Sequence, residues 1–363
     1  MIDFRPLPPL KRGQWALKIR KPMKALVLTE VGKSELREVE KPIPKSGEVL
    51  LKVGMVGFCG GDMNSFKGLF PLQEYPNILG HEVGGTIESL GADVPNHIHI
   101  GEKVTVYPYL ACGKCIACRK GQVNSCKENK TMGVRRPGAM TRYITLPWTD
   151  IFPSKKLSLR ELALAEPLTV GFHAVDRGTV SDKDHVAVIG CGIVGLGAVA
   201  SAVNRGAKVI AVDLDDSKLA IAKEIGVAYT INPSKENLHE KLQEYTNNDG
   251  PDVIIEAVGS PQTYRQAVEE VAFTGRVVCI GYAKKDVEFN TSLFVQKEIE
   301  IRGSRNCVGK KDFPEVIQYL EAGKFPVDEV ISKTITLEEA PETLASWAAN
   351  PAGIIKIMID FDR

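Results

Sequence analysis

The sequence predicts an α/β protein in which a mainly-β domain precedes a doubly wound parallel sheet. Two observations predict it. From Lys24 to about residue 108 the chain reads as short apolar strands, each broken by Gly or Pro; from about residue 160, apolar strands alternate with helical segments.

In the first stretch the strands are KALVLTE, then EVLLKVGMVG after the turn at Pro42 and Pro44, then EVGGTIESLG and EKVTVYP. In the second they are HVAVIG, KVIAVD, AYTIN, DVIIEAVG and RVVCIG, separated by helical segments such as 217–225 and 261–272. Such alternation implies right-handed crossovers and a parallel sheet covered on both faces. After Gly303 come a helix-like DFPEVIQYLEAG and a strand-like IIKIMIDF, expected to return to the first domain. The second domain would then be inserted between two pieces of the first.

At 363 residues, with 44% apolar and 25% charged residues, the composition is that of a globular chain with room for two domains. A formal net charge of +1 gives no global field for nucleic acid or an anionic membrane. Residues 1–22 hold six basic side chains from Arg5 to Lys21 but no apolar run suited to an export signal, and are expected to form a solvated arm. The 18 uncharged residues 186–203 reach the length of a spanning helix, yet Gly190, Gly192, Gly195 and Gly197 lie inside the run, which reads better as a buried strand, a turn and a helix start. A cytoplasmic protein without a membrane span is expected.

Gly190, Gly192 and Gly195, with Ile193 and Val194, form G-x-G-x-x-G directly after the strand VAVI and before a helical run. In that context the first glycine makes the turn, the second lets backbone approach a pyrophosphate, and the third lets helix and strand pack closely. The strand KVIAVD ends in Asp213, placed to accept ribose hydroxyls and to repel a 2′-phosphate; Leu214, Asp215 and Asp216 follow, with no Arg for that phosphate, so NAD is expected over NADP. The alternatives are a sharp turn without a cofactor and, for Asp213, a helix cap.

Four of the eight cysteines, Cys112, Cys115, Cys118 and Cys126, fall within 15 residues in a loop rich in Gly and Lys. In a chain without an export signal that spacing favours metal over disulfides, and four thiolates suit a closed tetrahedral zinc site. An iron–sulfur cluster is the alternative. A dispersed second group, Cys59, His81, Glu82 and Glu166, offers the mixed ligands and open position of a catalytic zinc.

In their order and separations, Cys59-Gly60-Gly61-Asp62, Gly80-His81-Glu82, the four-cysteine lobe, Glu166-Pro167 and the glycine turn resemble the zinc-containing medium-chain dehydrogenases. The resemblance covers residues 23–363 and is greatest to the sorbitol dehydrogenase branch, which includes galactonate and idonate 5-dehydrogenases. It implies a GroES-like catalytic domain over 23–168 with a zinc lobe at about 107–130, a Rossmann NAD-binding domain over 169–305, and a return to the catalytic domain over 306–363. It also implies two zinc ions per chain. Cys59, His81 and Glu82 would bind the catalytic one, with Glu166 as fourth ligand or partner of its water. The implied reaction is NAD-linked oxidation of a secondary alcohol of a polyol, sugar or sugar acid such as sorbitol, galactonate or idonate, by a dimer or tetramer. Arg305 and Asn306 lie in a segment that resembles the substrate side of sugar-acid members, and Arg305 suits a carboxylate. An L-threonine 3-dehydrogenase activity and a non-catalytic, zinc-stabilised cofactor-binding protein are the rival readings. The chain departs from the family at Gly61 and Asn64, where a Ser or Thr and often a His relay the alcohol proton to solvent.

Overall fold

The computed structural model describes residues 22–363. The expected arm over 1–22 lies outside the described residues except for Pro22, which opens the strand Pro22–Glu30.

The first domain is built on a seven-stranded sheet. Its central strand, Glu48–Gly57, pairs antiparallel with Glu82–Leu90 on one side and with the C-terminal strand Lys356–Asp360 on the other. The chain end thus fills a slot in the first sheet, with Met358 opposite Gly57. The second domain is a six-stranded parallel sheet in the order Tyr229–Ile231, Lys208–Val212, His185–Ile189, Val253–Glu256, Arg276–Cys279, Glu300–Gly303. Its order reverses between His185–Ile189 and Val253–Glu256, and a doubly wound sheet binds its ligand at the carboxyl ends of the strands beside that point.

Alternation along the parallel strands splits their apolar residues between two cores. Val186, Val188, Val209, Ala211, Val253 and Ile255 face one side, while Ala187, Ile189, Ile210, Val212 and Ile254 face the other. The first core also takes in the helix Leu159–Arg177, opened by a Ser158–Glu161 capping box. Gly171 brings this helix against Ile193–Asn204: a Cβ there would stand 2.3 Å from the Ala198 nitrogen. Gly84 of the first sheet touches its start in the same way, its would-be Cβ 2.0 Å from the Leu159 carbonyl oxygen. The expected division at residue 168 runs through this helix, which continues past Pro167 and packs on both units, so it is shared by the domains rather than cut between them. Among the described residues no helix is long and apolar enough to cross a membrane.

Candidate active site

Gly57 stands opposite Glu82 across the antiparallel pair, so residues just past one strand meet those at the start of the other. Cys59 caps the short helix Gly60–Phe66: its N–H donates to Asp62 Oδ2 at 2.9 Å, and the Gly61 N–H donates to Cys59 Sγ at 3.3 Å. Donor atoms of Cys59, His81 and Glu82 lie within 4.8 Å of one another. A Cβ on residue 57 would stand 2.0 Å from Glu82 Oε2, so glycine makes the room.

Electrostatics here favour a cation. Burial works against a charged His81, but the Cys59 thiolate beside it, with Asp62 and Glu166, outweighs burial and holds the imidazole well above its usual range. His81 Nδ1 is buried without a partner. Burial pushes Glu82 up to about 7 despite the buried ammonium of Lys356, which donates to both its oxygens at 2.7 and 2.6 Å and to the Phe58 carbonyl at 2.9 Å. One thiolate, one imidazole and a carboxylate form the mixed N/S/O donor set that a catalytic zinc takes, with a further position left open.

Glu166 does not join the three converging donors. It lies on the shared helix just before Pro167, where Oε1 accepts a hydrogen bond from the buried phenol of Tyr109. Burial, then the neighbouring Glu166 carboxylate, holds the Tyr109 hydroxyl well above its usual range, so it stays a donor. Gly61 offers no hydroxyl, and Asn64 Oδ1 is buried without a partner.

In the four-cysteine lobe, sulfur–sulfur separations are 3.5 Å for Cys115–Cys118, 3.9 Å for Cys115–Cys126 and 4.0 Å for Cys112–Cys118. A tetrahedron with arms of about 2.3 Å has edges of about 3.8 Å, so one zinc ion fits among them. An iron–sulfur cluster needs its sulfurs spread around a cage and does not fit this spacing. The N–H groups of Cys118 and Lys127 lower Cys115 to about 6, favouring the thiolate. Pairing of Tyr109–Leu110 with Lys130–Thr131 closes the lobe at its base.

At the glycine turn, Gly190 has φ +96°, and a Cβ on Gly195 would stand 1.8 Å from the Gly190 carbonyl oxygen. Gly192 caps the helix Ile193–Asn204 with no side-chain acceptor and with open space beside it. The first N–H groups of that helix therefore face open space, as a phosphate site requires. Asp213 Oδ2 accepts from the Cys191 N–H at 2.7 Å and Oδ1 from the Asp215 N–H at 2.9 Å, fixing its carboxylate at the mouth of the turn.

Between the lobe and the carboxyl ends of the strands Arg276–Cys279 and Glu300–Gly303 lies a cavity of about 650 Å³. Arg305 lines it, but its Nη1 donates to the Cys126 carbonyl at 3.3 Å, tying the lobe to the second domain rather than standing free. Asn306 adopts φ +51° and its Nδ2 is buried without a partner. Asn124 donates from Nδ2 to the Arg305 carbonyl at 2.8 Å and stands 3.1 Å from His173 Nε2; Asp312 Oδ2 lies 3.2 Å from His173 Nδ1 on the other side.

Lys356, Tyr109 and the Asn124–His173–Asp312 group carry no spacing signal in the sequence. Lys356 sits in an alternating strand where a solvent-facing Lys is the ordinary reading, and Tyr109 reads as one more β-strand aromatic.

Residues 45–156 match the family described as alcohol dehydrogenase GroES-like domain, and residues 194–322 match zinc-binding dehydrogenase. The chain is 33% identical to a zinc-type alcohol dehydrogenase-like protein of Haemophilus influenzae, over 92% of this chain and 98% of that one. It is 30% identical to the L-galactonate-5-dehydrogenase of Escherichia coli (93% and 99% covered) and 34% identical to the L-threonine 3-dehydrogenase of Pyrococcus horikoshii (93% and 99%). Among solved structures, it superposes on a zinc-binding dehydrogenase from Sinorhizobium meliloti bound to NADP with TM-score 0.88 at 30% identity, covering 94% of this chain and 100% of that one. An alcohol dehydrogenase from Escherichia coli complexed with NADH superposes with TM-score 0.86 at 28% identity, covering 94% and 99%.

Proposed function

Because the chain belongs to the zinc-type alcohol dehydrogenase family, we propose that it oxidises a secondary alcohol of a polyol, sugar or sugar acid to the ketone, with NAD as hydride acceptor. The observation that carries this reading is the convergence of Cys59, His81 and Glu82 at the end of the first sheet, near Glu166. These residues would hold a catalytic zinc, and Cys112, Cys115, Cys118 and Cys126 a structural one.

A zinc ion held there would supply a Lewis acid that lowers the pKa of the substrate hydroxyl, and a bound nicotinamide would supply the hydride acceptor. The chain supplies the rest. The helix at Gly192 would hold the cofactor's pyrophosphate and the carboxylate of Asp213 its ribose. With no relay hydroxyl at Gly61, the hydroxyl proton passes to a carboxylate. Lys356 occupies both oxygens of Glu82, whereas Tyr109 engages one oxygen of Glu166 and leaves Oε2 to accept that proton.

Asp213 supports NAD over NADP, since its anchored charge stands where a 2′-phosphate would go. An exposed edge strand, Glu300–Gly303, with Ile301 46% exposed, supports a dimer or tetramer. Eight free cysteines suit a reducing compartment such as the cytoplasm.

Identity to a threonine dehydrogenase favours a second reading, oxidation of an amino-acid alcohol. A screen of NAD reduction over polyols, sugars, aldonates and threonine, with zinc quantified in the same sample, tests both. Turnover of a polyol or aldonate is expected; threonine as the sole good substrate would select the second reading, and no turnover by fully zinc-loaded protein would favour a non-catalytic role.

A further inference from the structure

The four lobe cysteines lie between the paired segments Tyr109–Leu110 and Lys130–Thr131, and two side chains of the lobe reach the same helix. Tyr109, at the base, donates to Glu166; Asn124, two residues before Cys126, stands 3.1 Å from His173 Nε2. Glu166 and His173 are seven residues apart in the helix Leu159–Arg177, which puts them on one face about 10 Å apart along the axis. All four side chains are more than nine-tenths buried.

The contact at His173 has a fixed direction. Asn124 Nδ2 donates to the Arg305 carbonyl at 2.8 Å, so the same nitrogen turns its other hydrogen to His173, and Nε2 accepts. The ring proton then lies on Nδ1, which faces Asp312 Oδ2 at 3.2 Å. That oxygen is itself held by the Val308 N–H at 2.6 Å. His173 thus stands between the lobe and the helix Gly309–Glu321, while Arg305 returns a hydrogen bond to the Cys126 carbonyl at 3.3 Å. Buried polar side chains with fixed partners specify one arrangement where apolar packing tolerates several.

We infer that the four-cysteine lobe positions Glu166 by holding one face of this helix at two points, Tyr109 on Glu166 and Asn124 on His173, and that His173 is the positioning residue at the second point. The inference rests on the dehydrogenase reading above, in which Glu166 receives the substrate proton, and deepens it. Pro167 directly follows Glu166 and removes one helix N–H, so the turn that carries the carboxylate is held less by its own backbone and more by what packs on it. With Asn124 on His173, the Tyr109 hydroxyl meets Glu166 Oε1 in register and Oε2 is left for the proton. With that hold lost, the lobe shifts along the helix face and carries Tyr109 away from the carboxylate. The charge of Glu166 acts on His81, so its displacement is felt at the candidate metal site.

The test uses the full zinc-loaded chain, NAD, the best substrate from the screen, and three variants at one position. His173→Gln puts an amide oxygen near the place of Nε2 and keeps an acceptor for Asn124; His173→Asn is shorter and keeps only a donor toward Asp312; His173→Leu keeps neither. The rate of NAD reduction in a single turnover should fall about tenfold or more in His173→Leu and His173→Asn, the scale set by a small misplacement of a reacting group. His173→Gln should stay within about threefold of the wild type, the loss for one weakened hydrogen bond. Zinc content, NADH affinity and substrate KM should not change in any of them. The Gln and Asn variants decide the matter even where the Leu variant does not fold. Unchanged rates, or equal losses in His173→Gln and His173→Asn, would overturn the inference while the dehydrogenase reading stands. If the wild type turns nothing over, that reading fails, and cobalt(II) held in place of zinc by Cys59, His81 and Glu82 decides this one: its visible spectrum should shift in His173→Asn and not in His173→Gln, and an equal response to both refutes the positioning role.

Discussion

Lys356 and Glu82 meet at 2.6 Å, although 274 residues separate them in the chain and each side chain is only 1% exposed. The C-terminal strand thus reaches into the first sheet and places a buried ammonium directly behind a carboxylate of the candidate zinc site. Lys356 acts through Glu82 and the Phe58 carbonyl, and so positions the site rather than touching substrate.

Removing one member of such a pair leaves a buried charge without a counter-charge. Lys356→Met is expected to destabilise the protein by about 3–5 kcal/mol, and Lys356→Met with Glu82→Gln to recover much of that. Urea unfolding of both variants measures it; equal losses in the single and double variants would contradict the pairing.

Tyr109 is the donor that holds Glu166 Oε1. Tyr109→Phe keeps the ring and its edge-on packing against Tyr107 but leaves a buried carboxylate oxygen unpaired, at a cost of about 1–3 kcal/mol. Chemical denaturation should show that loss, and kcat should fall while zinc content and NADH affinity do not change.

Asp213 accepts hydrogen bonds from the Cys191 and Asp215 N–H groups, and under the proposed function its charge would stand against a 2′-phosphate. Asp213→Ala, with Leu214→Arg to supply a cation, should shift the ratio of kcat/KM values from NAD toward NADP. Unchanged selectivity would remove Asp213 from cofactor discrimination.

The four-cysteine lobe has little apolar content with which to fold without a metal, since all residues of its short helix Ile116–Arg119 are at least partly exposed. Cys115→Ser should lose one zinc per chain and lower the melting temperature. Because Asn124 and Arg305 join the lobe to the second domain, substrate KM should rise as well, while NADH binding persists.

Much of this was legible in the sequence because the signals are local. The glycines from Gly190 to Gly195 and the end of the next strand at Asp213 lie within one strand–helix–strand unit, and the four lobe cysteines lie within one loop. What was hidden depends on long-range packing. Lys356 and Tyr109 matter only because distant strands bring them to Glu82 and Glu166. The helix Leu159–Arg177 runs through Pro167 and across the domain division expected at residue 168. Arg305 reads as a free carboxylate clamp, and the fold gives one of its donors to the Cys126 carbonyl.

Zinc content and NAD-dependent turnover, measured on the same samples of the wild type and Cys59→Ser, test whether Cys59 holds a zinc ion on which turnover depends. The wild type should hold two zinc ions per chain and reduce NAD with a polyol or sugar-acid substrate; Cys59→Ser should retain the lobe zinc, lose the other and lose turnover. A Cys59→Ser protein with undiminished zinc and undiminished turnover would contradict the account.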